Sequence, residues 1–340
     1  MLESKTLFNV IKHAKNTCQN ITNYSVKVTT DPASFKEYKR KFHGRYIGIP
    51  FEASRVTKGI RMSYMVDGTS IECELIQVED GKRLDVRCVG KILNRLNMMV
   101  IMLNRMCRHI DRVKITMVLN PHEKQAPVQR NAHFCAQHVN NGLTSFSKGI
   151  PEYIYIYRFE DLYKVMMHEL IHYYGFDFGR VLDVHDKFKS FCIRDLSGQI
   201  DLNEAYTETL ACYLWIAMHT YISHSPKNDR VHYTHIQRRV QQSRDFFCKT
   251  VVGILVHFGL ADLNQRDECK HYITQDTHVF SYFICKAALF FCMPRFLEIV
   301  QIGPDRNAFI SLVYDALLDT SFTKSLEQAI PTRSMRMIDM

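Results

Sequence analysis

Among the 11 cysteines of this 340-residue chain, no two stand in a Cys-x-x-Cys pair. That spacing excludes a zinc ribbon and a thioredoxin-type redox site. No apolar stretch approaches the roughly 20 residues that a membrane span needs. The longest, Val251–Ala261 and Phe283–Met293, reach about half of that and are interrupted by His257 and Lys286. Both read as buried helices. Long runs of one charge are also missing, and basic residues cluster only briefly, at Lys36–Arg45 and Arg238–Arg239. The chain has no Gly-x-x-x-x-Gly-Lys phosphate loop, no Gly-x-Gly-x-x-Gly after a strand and no Gly-x-Ser-x-Gly elbow, so nucleotide-binding and serine-hydrolase signatures are absent. Met1–Lys12 is too short and polar for a secretory leader. The single cysteines are therefore expected to be reduced, mostly buried thiols of a cytoplasmic-type compartment, and the sequons at Asn20 and Asn23 to be chance.

What is present is ordinary globular composition, 46% hydrophobic and 23% charged residues, with ample apolar material for a core. The formal charge of +9 serves solubility and suits an acidic partner. No nucleic-acid-binding motif accompanies it, so nucleic acid is not the expected partner.

Hydrophobic periodicity divides the chain unevenly. Ile60–Val66, Ser70–Val78 and Lys82–Val89 are β-rich runs separated by Asp67-Gly68 and Asp80-Gly81, which predicts a three-stranded antiparallel meander. Lys91–His109 has helical spacing, and Val113–Leu119 suits a buried strand. Residues 120–150 read as loop around one short strand. Glu152–Arg158 reads as a strand feeding a helix that begins near Phe159, with Glu160 and Asp161 in its first turn. Beyond it the pattern is mostly helical, notably over Asn228–Gly259, His278–Met293 and Arg306–Leu318. The expected class is α+β: an N-terminal β-meander and mixed sheet, then a mostly helical C-terminal half. Its divisions are an N-terminal subdomain over 1–112 and a second domain over 113–340.

Residues 168–172 read His-Glu-Leu-Ile-His. Histidines at i and i+4 share one helix face and can share a metal ion. The intervening Glu169 can then take a proton from water rather than bind the metal. Roughly 0.03 such motifs are expected by chance in a chain of this composition. A third ligand is needed, with one position left open for water. Phe178 stands where the HExxHxxGxxH peptidases carry a third histidine, and Asp177 is one residue out of register. His185 is a further loop candidate.

Downstream, Asn203-Glu204-Ala205-Tyr206-Thr207-Glu208 resembles the second active-site helix of the thermolysin-like zinc peptidases, the gluzincins, with their Asn-Glu-x-x-x-Asp motif. The resemblance covers residues 158–210 and implies a zincin-like fold. It makes His168, His172 and Glu204 the Zn2+ ligands, Glu169 the general base, and Glu208 the carboxylate behind His168. Glu208 replaces the usual aspartate, and the gap from His172 implies an inserted loop around Asp183–Gln199. Glu152–Arg158, or the preceding Asn140–Phe146, is expected to line the substrate cleft. Tyr206, His235, His278 and Tyr282 are candidates for the donor to the developing oxyanion. Tyr157-Arg158 before the helix and Gly175-Phe176-Asp177 after it also resemble HExxH proteins of large nucleo-cytoplasmic DNA viruses. That implies a viral protein with virion or capsid proteins as partners. Two functions follow as expectations: a zinc metallopeptidase acting on a peptide or protein, or a virion protein that keeps the zinc-binding fold and works by packing.

Overall fold

The computed structural model describes residues 4–18, 24–35, 47, 52–179, 188, 191, 193–195, 200–260, 272–303 and 305–336. His185, the sequons at 20 and 23, the basic cluster 36–45 and most of the expected insertion at 183–199 lie outside the described residues.

The chain is α+β. Asp67 and Gly68 both adopt positive φ, 48° and 79°, as a type I′ turn requires. They join β2 (Val56–Val66) to β3 (Thr69–Val78) in a two-residue hairpin with Val66 opposite Thr69. The third strand of this antiparallel unit is not Lys82–Val89. It is β1 (Tyr24–Thr29), paired with β2. The expected strand fails at Asp85, whose side chain accepts a hydrogen bond from the Cys88 N–H and so starts helix α2 (Val86–Met106), which packs against α1 (Ser4–Thr17).

That helix is the crossover that parallel pairing requires. β4 (Arg112–Val118) lies parallel to β3, and β6 (Ile150–Ile156) lies parallel to β4. β5 (Gly142–Ser147) pairs antiparallel with β6. The sheet order is β1-β2-β3-β4-β6-β5, so one sheet continues across residues 112 and 113. β6 is flanked on both sides, whereas β5 is an edge strand, with β1 at the opposite edge. Of the two segments expected to line a cleft, the edge position belongs to the one within 140–146.

Helix α3 (Leu162–Tyr174) follows β6 and ends at Gly175, whose φ of 62° lets its N–H reach back to the His172 and Ile171 carbonyls. Glu160 and Asp161 precede this helix rather than forming its first turn. They are engaged by Lys124, whose backbone N–H donates to Glu160 (2.8 Å) and whose ammonium pairs with Asp161 (3.1 Å). Helix α4 (Leu202–His224) packs on α3 and is buried almost all round. Asp201 caps its start through the Asn203 N–H. Helix α5 (Asp229–Phe258) is capped by Asn228 and Gly259. The expected helix over 278–293 is a π-helical turn, Phe280–Cys285, running into helix α6 (Lys286–Phe291). Such wide turns often mark functional sites, and this one faces α4. No helix of the described residues is long and apolar enough to cross a membrane. The nine described cysteines are free, five of them buried.

Candidate metal centre

One turn of α3 separates His168 from His172, and their Nε2 atoms lie 3.1 Å apart. The first turn of α4 brings Glu204 against both, with its Oε2 3.4 Å from His168 Nε2 and 3.5 Å from His172 Nε2. The three ligand atoms lie within 4.8 Å of one another.

The opposite nitrogens determine what the facing ones carry. His168 Nδ1 is 3.0 Å from Glu208 Oε2, and His172 Nδ1 is 2.5 Å from Asp177 Oδ2. Each Nδ1 therefore holds its hydrogen and donates it to a carboxylate. Both Nε2 lone pairs then face the buried Glu204 Oε2. Three converging lone pairs repel one another unless a positive charge stands among them, and the donor set of two imidazoles and a carboxylate suits a transition metal such as zinc.

The protein alone meets this crowding by attracting protons. Burial opposes charge on both imidazoles, yet the Glu204 and Glu208 hydrogen bonds raise His168, and Glu204 and Asp177 raise His172 well above the ordinary value. Burial would raise Glu204 too, but the His172 charge and its hydrogen bonds to the imidazoles hold it well below the carboxylate range.

Glu169 projects beside this group from the same helix and is buried. The Thr144 hydroxyl of β5 donates to its Oε2 at 2.8 Å. Gly142 leaves it room, since a methyl group there would sit 3.0 Å from Glu169 Oε1 and 2.9 Å from the Tyr155 carbonyl oxygen. Burial raises the Glu169 carboxyl, and the two imidazoles partly offset the effect. All four residues open onto a cavity of about 560 Å³ whose walls include Thr144, Phe146, His278 and Tyr282.

Of the four expected oxyanion donors, the structure brings His278 and Tyr282 to this cavity. The Tyr282 ring lies 5.8 Å from that of His168. Burial and then the negative charge of Glu204 push its hydroxyl well above the ordinary tyrosine value, so it keeps its proton. Tyr206 is packed among Phe178, Phe296 and Phe309, and His235 stacks on His224. Neither lines the cavity.

Behind His168, Glu208 is fully buried and holds two ammonium groups: Lys164 Nζ at 2.6 Å and Lys286 Nζ at 3.1 Å. Lys286 also stands 4.3 Å from the Phe247 ring centre and 5.3 Å from that of Phe283, which favours its charge. Burial would raise Glu208, but the two lysines bring it well below the usual range. Sequence reasoning overlooked both lysines. Lys164 carried a readable signal, since it precedes His168 by one helical turn. Lys286, 78 residues from Glu208, was visible only as a charge interrupting an apolar run. Asp177, out of register as a ligand, instead supports His172 and is itself held by the Asn203 amide (3.2 Å) and the Gly179 N–H (2.8 Å). Phe178 turns toward Tyr206 and Phe309, away from any ligand role. Thr144 and Gly142 had no signal in one sequence, because their importance comes from strand pairing.

No family model, no curated protein and no solved structure matches the chain.

Proposed function

We propose that the chain is a zinc-dependent peptidase, with His168, His172 and Glu204 as metal ligands and Glu169 as general base. The observation that carries this reading is the convergence of three lone pairs, each imidazole fixed by a carboxylate on its far side, directly beside a buried glutamate. A zinc ion held there would polarise a peptide carbonyl and make a nearby water more acidic. A structural metal site needs ligands alone, whereas this one adjoins a carboxylate that burial makes more basic.

The chain's own groups divide the work. Glu169, aligned by the Thr144 hydroxyl, takes the proton of the attacking water and returns it to the leaving amine. Tyr282 retains its phenolic proton and can donate a hydrogen bond to oxygen as negative charge develops. The edge of β5 offers backbone groups to an extended peptide, which would add as a further strand beside Glu169.

Metal analysis combined with Glu169→Gln tests the reading. Purified protein should carry about one zinc per chain, lost in His168→Ala and Glu204→Ala. Glu169→Gln should keep the zinc and lose at least about 10²-fold in peptide hydrolysis. A wild type that binds zinc but cleaves no member of a mixed peptide library would move the protein to a packing role.

A further inference from the structure

The cavity beside Glu169 is lined by four carboxylates, those of Glu169, Asp177, Asp201 and Glu204, and among the described residues by one guanidinium, that of Arg108. Arg108 follows the end of α2 and is exposed. A methyl group on Gly175 would lie 3.5 Å from its Nη2, so the guanidinium rests against the C-terminal end of α3, where unpaired carbonyls favour a cation. No described residue forms an ion pair or hydrogen bond with Arg108.

Arg108 also lines a second cavity, of about 630 Å³, and the two cavities share Arg108, Pro151 and Tyr173 as a common wall. Arg112 and Lys114 line the second cavity, together with Asp111 and Glu152. Arg112 is engaged by Glu72. A chain leaving the Glu169 cavity over this shared wall would meet Arg108, whose guanidinium can take a carboxylate in a fork of two hydrogen bonds.

On the peptidase reading above, we propose that Arg108 is a specificity residue that receives a carboxylate of the substrate, so that acidic peptides are preferred. The carboxylate comes from an Asp or Glu side chain or from the peptide's C-terminus, and the chemistry at Arg108 is the same. The net charge of +9 would add a weaker long-range attraction for such peptides.

Internal competition tests this with the zinc-loaded full chain. A neutral peptide that wild type cleaves is compared, in one tube, with versions in which a single Glu replaces Gln at each position in turn. Each is made with a free or an amidated C-terminus, and mass spectrometry reads the ratio of kcat/KM values. Wild type should prefer one acidic version by about tenfold at low salt, within the range of a charge-assisted hydrogen bond at an open site, and by less at 0.5 M salt. Arg108→Gln should abolish the preference and Arg108→Glu should invert it, each read as the ratio of the two peptides in one tube and so independent of the overall rate. Preference for a side-chain acid or for a free C-terminus supports the proposal and names the source. Equal cleavage of acidic and neutral peptides by wild type overturns it and leaves the peptidase reading intact, as does a preference that survives in Arg108→Gln. Failure to cleave any peptide overturns both.

Discussion

His168 and His172 stand one turn apart on the same helix, yet the carboxylates behind them belong to different parts of the molecule. Glu208 comes from α4, is wholly buried, and is gripped by lysines from α3 and from α6. Asp177 comes from the loop just past Gly175, five residues from its histidine, and is held by an asparagine and a backbone N–H. The deep support ties one imidazole to the assembly of three elements of the core. Asp177 ties the other to the turn after α3 and, through Asn203, to the first turn of α4. Both carboxylates are held below their usual range, Glu208 by buried ammonium charges and Asp177 by its histidine. The contrast implies that the same kind of substitution should have different consequences on the two sides.

The largest difference should be in stability. Glu208→Ala would leave Lys164 and Lys286 buried beside a cavity, and breaking a buried charge cluster in this way costs about 3–5 kcal/mol. Asp177→Ala removes charge-assisted hydrogen bonds but strands no buried ammonium group, at about 1.5–3 kcal/mol. Denaturant titration of both proteins without zinc measures the gap. Equal losses would mean that the lysines do not depend on Glu208 for their place.

Metal affinity should reverse the emphasis. Asp177→Asn keeps the shape of the loop but weakens the acceptor that orients His172, and zinc affinity should fall by roughly 10–100-fold. Competition against a chelator reads this directly. An unchanged affinity would reduce Asp177 to a loop residue.

The titration of the centre then gives a test of sign. His168 and His172 are raised above their ordinary value of 6.5. In zinc-free protein they contribute stability that is fully present below pH 6.5 and is lost as the pH rises through their folded values. Glu204 and Glu208 are depressed below 4.5, so their contribution is present above that pH and is lost on acidification through their folded values. Zinc requires neutral imidazoles, so its stabilisation should grow with pH over the range in which the zinc-free protein weakens. Melting temperatures at pH 6 and pH 8, with chelator and with zinc, should therefore move in opposite directions. Movement in the same direction would argue against a metal among these three groups.

The same contrast explains what could be read from the chain alone. The two histidines, Glu169, Glu204 and Glu208 are spaced by helical turns, and a helix converts that spacing into a shared face. The β2–β3 hairpin was equally legible, because Asp67-Gly68 encodes its turn locally. The strand assigned to Lys82–Val89 misled because β-rich composition does not outweigh a helix cap at Asp85. Lys286, Thr144 and β1 owe their places to pairings between distant segments, which periodicity cannot show. Asp177 stands only five residues past His172, but the turn that folds it back behind the imidazole has no helical spacing to mark it.

The smallest expected effect concerns Glu169, which neither supporting carboxylate touches. Its alignment depends on β5, and β5 can lie as close as it does because residue 142 has no side chain. A Cβ there would press on the Tyr155 carbonyl oxygen at 2.9 Å and on Val165 Cγ1 at 3.0 Å. The carbonyl belongs to an interior strand and cannot swing aside, so in Gly142→Ala the edge strand must shift by a few tenths of an ångström and carry Thr144 with it. The cost in stability should be about 1 kcal/mol, the low end for overpacking. The proposed metal ligands sit on α3 and α4, so zinc content should not change. On the proposed peptidase reading, hydrolysis should fall about tenfold, less than the 10²-fold that a 1 Å misplacement can cause. Thr144→Val provides the control, removing the hydroxyl while leaving the strand in place. A similar loss of activity without loss of stability would locate the effect in the 2.8 Å hydrogen bond to Glu169. Full activity in Gly142→Ala would show that Glu169 is aligned by α3 alone.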